Sequence, residues 1–340
     1  CYILPKIKCT LLTIQVLLPY SAFGETGNNP DIDPVYPNPR PGGYKGNIPL
    51  PPTRQSDRLH KTGELQCGVY KPTTVISASY GQAEADLPIA YTKRQCNEFM
   101  KLGLQGHSIL FSSGDYGVAS FHNDGAVNGC LGPEGKIFNP QYPSNCPYVT
   151  SVGGTMLYAD QTVKDAESVM SANLGGDSAN FTSSGGFSNY FPQPSYQKKA
   201  VEKYFQKAKL TYPYYSEMEV NINKTKGLYN RIGRGYPDVS ANGAVFPAYN
   251  GGKLTHYYGA SLASPLFASV LNLVSRSKTL IGLFIVLMAS LQINEERLDQ
   301  GKGPVGFVNP VLYAHPEVLN DITNGTNLGC GSDGFSAIPG

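Results

Sequence analysis

Three short apolar segments that end in glycine-rich turns constrain the fold of this chain more than any other feature. Short runs of β-branched and other apolar residues bounded by turn residues predict buried strands. Between the first two segments, residues 84–106 carry apolar side chains near helical spacing and predict a helix that ends at Gly103 or Gly106. The predicted strands lie in residues 73–81 (TTVISASYG), 107–117 (HSILFSSGDYG) and 147–155 (PYVTSVGGT).

A strand, a helix and a strand in this order form a right-handed crossover unit in which the two strands are parallel. We therefore predict an α/β protein with a mainly parallel sheet flanked by helices. The site of such a protein lies at the carboxyl ends of the strands, so we expect the three glycine-rich turns to converge there. Residues 235–243 predict a further strand and turn, and residues 197–208 predict a short helix.

With 340 residues, of which 41% are hydrophobic, the chain is long enough to bury a substantial core. Its formal net charge is +2, and it contains no long run of one sign. These features indicate neither a nucleic acid nor a membrane as a partner, and we expect a monomer that binds a substrate. The apolar residues 279–291 are fewer than the roughly 20 that cross a bilayer, which favours a buried helix.

Seven cysteines and three N-glycosylation sequons point to an oxidising, glycosylating route, so we expect a secreted, extracellular protein. The sequons begin at Asn180, Asn223 and Asn324. The odd number of cysteines leaves at least one unpaired or paired outside the chain, and the disulfide connectivity stays open. Residues 6–20 imitate a signal peptide, but no small-residue cleavage site follows them cleanly.

Ser261 lies in a Gly-Ala-Ser-x-Ala-Ser-Pro run, directly before an apolar stretch that predicts a buried helix. We expect Pro265 in the first turn of that helix, where its missing N–H is tolerated. The free N–H groups and the dipole at a helix N-terminus favour a developing anion, which suits an acyl-transfer nucleophile. The alternative for Ser261 is a small side chain in a turn. Ala263 replaces the second glycine of a Gly-x-Ser-x-Gly elbow, which disfavours the α/β-hydrolase fold.

A series of motifs, taken in order, resembles the sedolisins, which are serine-carboxyl peptidases, and specifically their secreted fungal tripeptidyl-peptidase branch. The resemblance covers about residues 20–340. Subtilisins share the serine motif but add a histidine base and an oxyanion asparagine in contexts that are missing from this sequence. The motifs are SASYG (77–81), SSGDYGV (112–118), YVTSVGGT (148–155), SSGGFSNYF (183–191), YPDVSANG (236–243), GASLASP (259–265) and LNDITNGTN (319–327).

The resemblance implies a subtilisin-like three-layer fold and a peptide or protein substrate. It implies Ser261 as nucleophile, Asp115 as oxyanion stabiliser, and Ser79, Tyr80 and Gly81 as a cleft edge that pairs with the substrate backbone. An aspartate donates a hydrogen bond only when it is protonated, so the expected pH optimum is acidic. The alternatives are a common Gly-Asp turn for Asp115 and a plain core strand for the cleft edge.

The sequence departs from the family pattern at both ends. The family's base, a glutamate with a supporting aspartate on one helix, has no match before the first strand, so we expect the chain to begin after that helix. Asp321 and Ile322 match the family's Ca²⁺ site as a carboxylate and a carbonyl ligand. The remaining ligands are expected beyond Gly340, which predicts poor calcium affinity. Ala260 replaces the family's threonine beside the nucleophile.

We interpret residues 20–340 as a partial peptidase domain and residues 1–19 as a segment outside it. Residues 274–292 interrupt a helix that otherwise runs from ASVLNL into INEERLDQGKGPVGF. Our hypothesis is an unspliced intron, because a Val codon starting with GT and a Gln codon of the CAG type would bracket it; the nucleotide sequence tests this. Residues 47–63 are a second candidate insert.

Three functions remain open from the sequence. The first is an acid serine-carboxyl peptidase that releases tripeptides from free N-termini or cuts internally. The second is a catalytically dead fragment or pseudoenzyme that lacks the Glu/Asp base pair, and for the chain as it stands we expect little activity. The third is a serine hydrolase with His256 or His107 as its base, which the missing Asp/His motif disfavours. Acid activity, no activity and a near-neutral optimum distinguish the three.

Overall fold

The computed structural model describes residues 72–122, 128–175, 181–273 and 305–340. The helices of four residues or more are α1 (Ile89–Leu104), α2 (Lys198–Ala208), α3 (Ala260–Leu273) and α4 (Asn309–Ala314). The strands are β1 (Val75–Ala78), β2 (Gln82–Ala83), β3 (Ser108–Ser112), β4 (Gln141–Tyr142), β5 (Thr150–Met156), β6 (Ser168–Val169), β7 (Ser171–Ala172), β8 (Phe181–Thr182), β9 (Gly186–Pro192), β10 (Tyr214–Tyr215), β11 (Tyr229–Asn230), β12 (Gly233–Tyr236), β13 (Val239–Asn242), β14 (Phe246–Asn250) and β15 (Lys253–Tyr257).

Parallel strands form the central sheet in the order β1, β3, β5 and β13, and the short β6 pairs antiparallel with the end of β5. Ile76 pairs with Ile109 between the first two strands, and Val152 pairs with Val239 between the last two. The predicted α/β class with a mainly parallel sheet is confirmed.

The two faces of this sheet carry different helices, because successive side chains of a strand point to opposite sides. Leu110 of β3 is buried on the face that α3 covers, where it shares a cluster with Phe267 of that helix. The next residue, Phe111, packs on the other face, with its ring centroid 5.4 Å from that of Phe99 in α1. Helices therefore cover both faces, as the predicted three-layer fold requires.

The helix predicted for residues 84–106 begins later, at Ile89. Pro88 disfavours helical geometry at the residue before it, and Leu87 is indeed extended, with φ −111° and ψ 142°. Residues 82–86 instead form β2 and one 3₁₀ turn. The turn predicted at the end of residues 147–155 is also absent, because β5 continues through both glycines. A Cβ on Gly154 would lie only 2.9 Å from Cε of Met170, so glycine allows this close packing.

The prediction that Pro265 lies in the first turn of its helix is wrong. The helix α3 begins at Ala260, so Pro265 lies in the second turn. Proline has no N–H to donate to the carbonyl four residues earlier, which here belongs to Ser261. The start of α3 therefore contains a carbonyl group whose usual intrahelical partner is missing.

Two disulfide bonds link distant parts of the described chain, Cys96 to Cys146 and Cys130 to Cys330. The three other cysteines, Cys1, Cys9 and Cys67, lie outside the described residues. So do the two candidate inserts and residues 1–19, together with Asn180. No helix of the described residues has the length and apolar character that a membrane crossing requires.

Replacing Cys130 and Cys330 together by serine is expected to lower the free energy of unfolding by about 3 to 5 kcal/mol, because this crosslink restricts the unfolded chain over a long loop. The loop spans 200 residues, against 50 for the Cys96–Cys146 pair. Equilibrium urea unfolding measures the loss, with the Cys96/Cys146 double variant as the comparison. A larger loss for the shorter loop would contradict this explanation.

Candidate active site

Two of the three predicted turns meet beside the start of α3. The turn after β1 contains Ser79, Tyr80 and Gly81, and the turn after β3 contains Asp115. Because β1 and β3 are parallel neighbours, both turns lie at the same edge of the sheet. Each turn is hydrogen-bonded to the first residues of α3 at this edge: Ser79 donates to Ser261 O, and Asp115 accepts from Ala260 N.

The carboxyl group of Asp115 is held against the first turn of α3. Its Oδ1 accepts a hydrogen bond from the backbone N–H of Ala260 at 2.6 Å. A Cβ on Gly259 would lie 3.4 Å from Oδ2 of Asp115 and 3.6 Å from Cβ of Ser261. The second carboxyl oxygen and the Ser261 side chain therefore flank the same point of the chain.

Burial raises the pKa of Asp115 to about 6, and the hydrogen bond from Ala260 offsets only part of this increase. Below this pH the carboxyl group is mostly protonated. With Oδ1 accepting from Ala260, a protonated Asp115 has Oδ2 to carry the proton. That oxygen lies near Gly259, as does the Ser261 side chain.

The loop that carries Asp115 depends on two glycines. Gly114 and Gly117 have φ of 108° and 63°, values that side-chain-bearing residues rarely adopt.

Ser184 fixes the loop, because its backbone N–H donates to Gly114 O and its Oγ accepts from Tyr116 N, both at 2.9 Å. The backbone N–H of Thr182 donates to Asp115 O at 3.0 Å. The Ser-Gly-Asp-x-Gly and Ser-Ser-Gly-Gly motifs thus form one unit.

Gln141, which the sequence analysis did not identify, lies between the two turns. It is only 4% exposed, and its Nε2 finds no hydrogen-bond partner among the described residues. A Cβ on Gly114 would lie 3.2 Å from its Cγ, and one on Gly81 would lie 3.6 Å from its Oε1. An amide with an unused donor therefore lies beside both turns. A single glutamine carries no sequence signal that points to such a position.

Glu84 is a second residue that the sequence analysis missed. It is fully buried, and burial raises the pKa of its carboxyl group to about 7. Asn145 Nδ2 and Asn189 N donate to it, each at 2.7 Å, and Ser188 Oγ and Tyr190 N also donate. These donors come from the segment after β4 and from β9, not from α3. Glu84 therefore links the segment after Gly81 to the segment after β4 and to β9. Because its contacts are with these segments and not with α3, we do not assign it as a base for Ser261.

Replacing Glu84 by Gln is expected to remove a pH dependence of stability. The folded-state pKa of about 7 exceeds the ordinary value of 4.5, so this group destabilises the folded state progressively as the pH rises between those values. The expected loss for the unmodified chain is about 3 kcal/mol over that window. Urea unfolding at several pH values compares the Gln variant with Glu134→Gln, an exposed control. An unchanged slope in Glu84→Gln would contradict the assignment.

The two histidines of the third hypothesis lie apart from this arrangement or at its surface. His107 precedes β3 and is thus at the amino end of the strand, whereas Asp115 follows its carboxyl end. His256 is exposed on β15, opposite Pro247 of β14.

The predicted calcium and glycosylation residues that the structure describes are exposed or partly exposed. Asp321 is exposed, and its Oδ2 accepts a hydrogen bond from Gly340 N at 2.7 Å, so the end of the chain returns to this residue. The described residues contain no group of three or more His, Cys, Asp or Glu side chains that could hold a metal ion. Asn223 and Asn324 are exposed, as glycan attachment requires.

Two curated fungal proteins are similar to this chain over most of its length. Aorsin of Aspergillus oryzae is 50% identical over 322 residues, which are 94% of this chain and 43% of aorsin. Tripeptidyl-peptidase sed1 of Aspergillus fumigatus is 47% identical over 310 residues, 91% of this chain and 42% of that protein. The chain thus spans less than half the length of these relatives. No family model matches it.

A solved bacterial structure shares the fold. Pseudomonas sedolisin, a serine-carboxyl proteinase complexed with two molecules of pseudo-iodotyrostatin, matches with a TM-score of 0.54 at 25% sequence identity. The match covers 79% of this chain and 60% of that one.

Proposed function

This chain belongs to the sedolisin family, and from that premise we propose that it is the nucleophile-bearing part of an acid serine-carboxyl peptidase. Its substrates are peptides, from which it releases N-terminal tripeptides or which it cuts internally. The observation that carries the proposal is the hydrogen bond from Ala260 N to Asp115 Oδ1, which holds a buried carboxyl group beside Ser261.

In this proposal Ser261 Oγ attacks the carbonyl carbon of the scissile bond. Its position in the first turn of α3 supports this role, because the N–H groups there are directed toward a developing negative charge. The attack passes the serine proton to a general base and forms a tetrahedral intermediate. Its collapse delivers that proton to the leaving amine and leaves an acyl group on the serine. Water then hydrolyses this ester and regenerates the hydroxyl group.

Asp115 stabilises the oxyanion of that intermediate. A neutral carboxyl group donates one hydrogen bond, and a donor in a water-poor site stabilises a transition state far more than it does in water. The raised pKa of Asp115, about 6, supports a protonated donor at acid pH. Deprotonation places a negative charge beside the oxyanion, so activity is expected to fall as the pH rises through this value.

The backbone of Tyr80 and Gly81 supplies one wall of the cleft and pairs with the substrate as an added strand. Gly81 is exposed, and Tyr80 is partly exposed. The buried Gln141 amide lies beside Gly81 in this wall, and its Nε2 has no hydrogen-bond partner among the described residues. None of the described carboxyl groups other than Asp115 is hydrogen-bonded to the start of α3, so we assign the general base to none of them.

Hydrolysis of a chromogenic tripeptide amide and of a blocked internal peptide tests the proposal, over about pH 3 to 7. The protein is assayed both as this chain and at the length of its curated relatives. Activity in the acid range supports the proposal. No activity at either length favours an inactive pseudoenzyme, and an optimum near neutral pH favours a histidine base.

We also propose a Ca²⁺ ion at Asp321 and Ile322. Their carboxylate and carbonyl oxygens are the hard ligands that Ca²⁺ prefers, but the ion takes six to eight oxygens, so these residues fit only as part of a site. The return of Gly340 to Asp321 brings further backbone into reach. The ion would stabilise this surface segment and takes no part in the chemistry at Ser261.

Calcium is expected to raise the melting temperature of the protein at the length of its relatives. Millimolar Ca²⁺ is compared with a chelator by calorimetry, because an ion that binds only the folded state stabilises it. Asp321→Asn should abolish the increase, while Asp333→Asn, another exposed aspartate of the same region, should retain it. An equal increase in both variants would place the ion elsewhere.

Secretion completes the proposal. The two disulfide bonds support an oxidising compartment, since such bonds are rare where thiols are kept reduced. The exposed Asn223 and Asn324 are proposed glycan sites, together with Asn180, which lies outside the described residues.

A further inference from the structure

The carbonyl group of Ser261 is deprived of its normal helical partner. In an α-helix this oxygen accepts the N–H of the residue four positions later, which is Pro265 and has none. Buried or half-buried carbonyl groups in proteins are nearly always hydrogen-bonded, so this oxygen needs a donor from outside the helix. The turn that contains the proposed nucleophile is therefore incomplete by itself.

The missing donor comes from the turn after β1. Ser79 Oγ donates a hydrogen bond to Ser261 O at 2.6 Å. One turn further along α3, Ser264 Oγ lies 3.0 Å from Ser77 Oγ. Residues 77 and 79 share one face of an extended segment, and residues 261 and 264 share one face of a helix. The two contacts thus form a short ladder between the strand and the helix.

We propose that Ser79 is a positioning residue. Its hydroxyl group donates the hydrogen bond that Pro265 cannot donate to Ser261 O, and so fixes the backbone that carries Ser261. This inference rests on the proposed function, in which Ser261 is the nucleophile. A serine hydroxyl group has one proton, and when it is donated to Ser261 O it is not available to a substrate carbonyl. The role of Ser79 is therefore separate from that of the Tyr80 and Gly81 backbone.

The inference predicts a rescue that an ordinary packing role does not produce. Ser79→Ala leaves Ser261 O without its donor, and kcat is expected to fall about tenfold with KM little changed, because small displacements of a reacting group are costly. Pro265→Ala restores an N–H at the fourth position. In the Ser79→Ala background it should return kcat to within about threefold of the unmodified protein.

The experiment is a double-mutant cycle on Ser79→Ala and Pro265→Ala, with Ser77→Ala as the matched control. Ser77 contacts the same helix at Ser264 and does not depend on Pro265. The measured quantities are kcat, KM, the rate at which a fluorophosphonate labels Ser261, and the free energy of unfolding. Unfolding is measured on this chain, and turnover on the protein at the length of its relatives.

Pro265→Ala should increase the stability more in the Ser79→Ala background than in the unmodified or Ser77→Ala background, and only Ser79→Ala should slow the labelling. Additive effects on unfolding would overturn the positioning role, whatever the activity. If the effects on the free energy of unfolding are not additive but the protein shows neither turnover nor labelling, the contact between Ser79 and Ser261 is supported. The proposed function is then contradicted instead. If Ser79→Ala raised KM and left kcat unchanged, the result would indicate that the Ser79 hydroxyl group binds the substrate.

Discussion

Replacing Ser261 by Ala is expected to lower kcat/KM by about 10⁵- to 10⁶-fold, because the loss of a nucleophile removes the covalent route altogether. The remaining rate reflects only oxyanion stabilisation and binding. Steady-state hydrolysis of a chromogenic peptide at acid pH measures this effect. The protein is used at the length of its curated relatives, since this chain spans less than half of them.

Ser269→Ala is the matched control for this measurement. Ser269 lies on the same helix, two turns beyond Ser261, and it takes no part in the contacts of the site. Its replacement is expected to leave kcat/KM within about twofold, as for most substitutions away from a site. If Ser261→Ala retained more than a hundredth of the activity, another residue would have to be the nucleophile.

The second large effect concerns Asp115. Asp115→Ala is expected to lower kcat by about 10²- to 10³-fold, the usual cost of removing one oxyanion donor. Asp115→Asn should lose much less, because its amide can both accept from Ala260 N and donate toward the oxyanion. Comparing the two variants shows whether Asp115 is needed as a hydrogen-bond donor, which asparagine also is, or as an acid, which asparagine is not.

The pH profile gives the sharper result. The unmodified protein is expected to lose activity as the pH rises through about 6, since the Asp115 proton is lost there. An asparagine does not titrate, so Asp115→Asn should keep its activity to higher pH and lack this limb of the profile. A limb that persists unchanged in the asparagine variant would assign it to a different group.

The strands of the central sheet were predicted correctly from the order of apolar runs, helical spacing and turns along the chain. Apolar runs at residues 73–81 and 107–117 correspond to β1 and β3, and residues 235–243 include β13. These signals are local, because a buried parallel strand needs β-branched residues and a following turn. The element boundaries were less accurate at Pro88, where the proline delays the helix, and at Gly154, where close packing rather than a turn explains the glycine.

The residues that the sequence did not reveal act through contacts between distant segments. Glu84 receives hydrogen bonds from residues 145 and 188–190, and Gln141 lies between turns that follow two different strands. The Ser79 contact depends on a proline in another element, 186 positions later in the sequence numbering. No periodicity or composition records such pairings. The signal that was available, Pro265 four residues after Ser261, predicts an unpaired carbonyl group but not its donor.

A crystal structure of the protein with a peptide aldehyde bound tests most directly whether positions 115 and 261 act on one carbonyl group. An aldehyde forms a tetrahedral adduct with a nucleophilic hydroxyl group and thus imitates the intermediate. The account predicts a covalent bond to Ser261 Oγ, with the adduct oxygen within hydrogen-bond distance of Asp115 Oδ2. An adduct on another residue, or an oxygen directed away from Asp115, would contradict it.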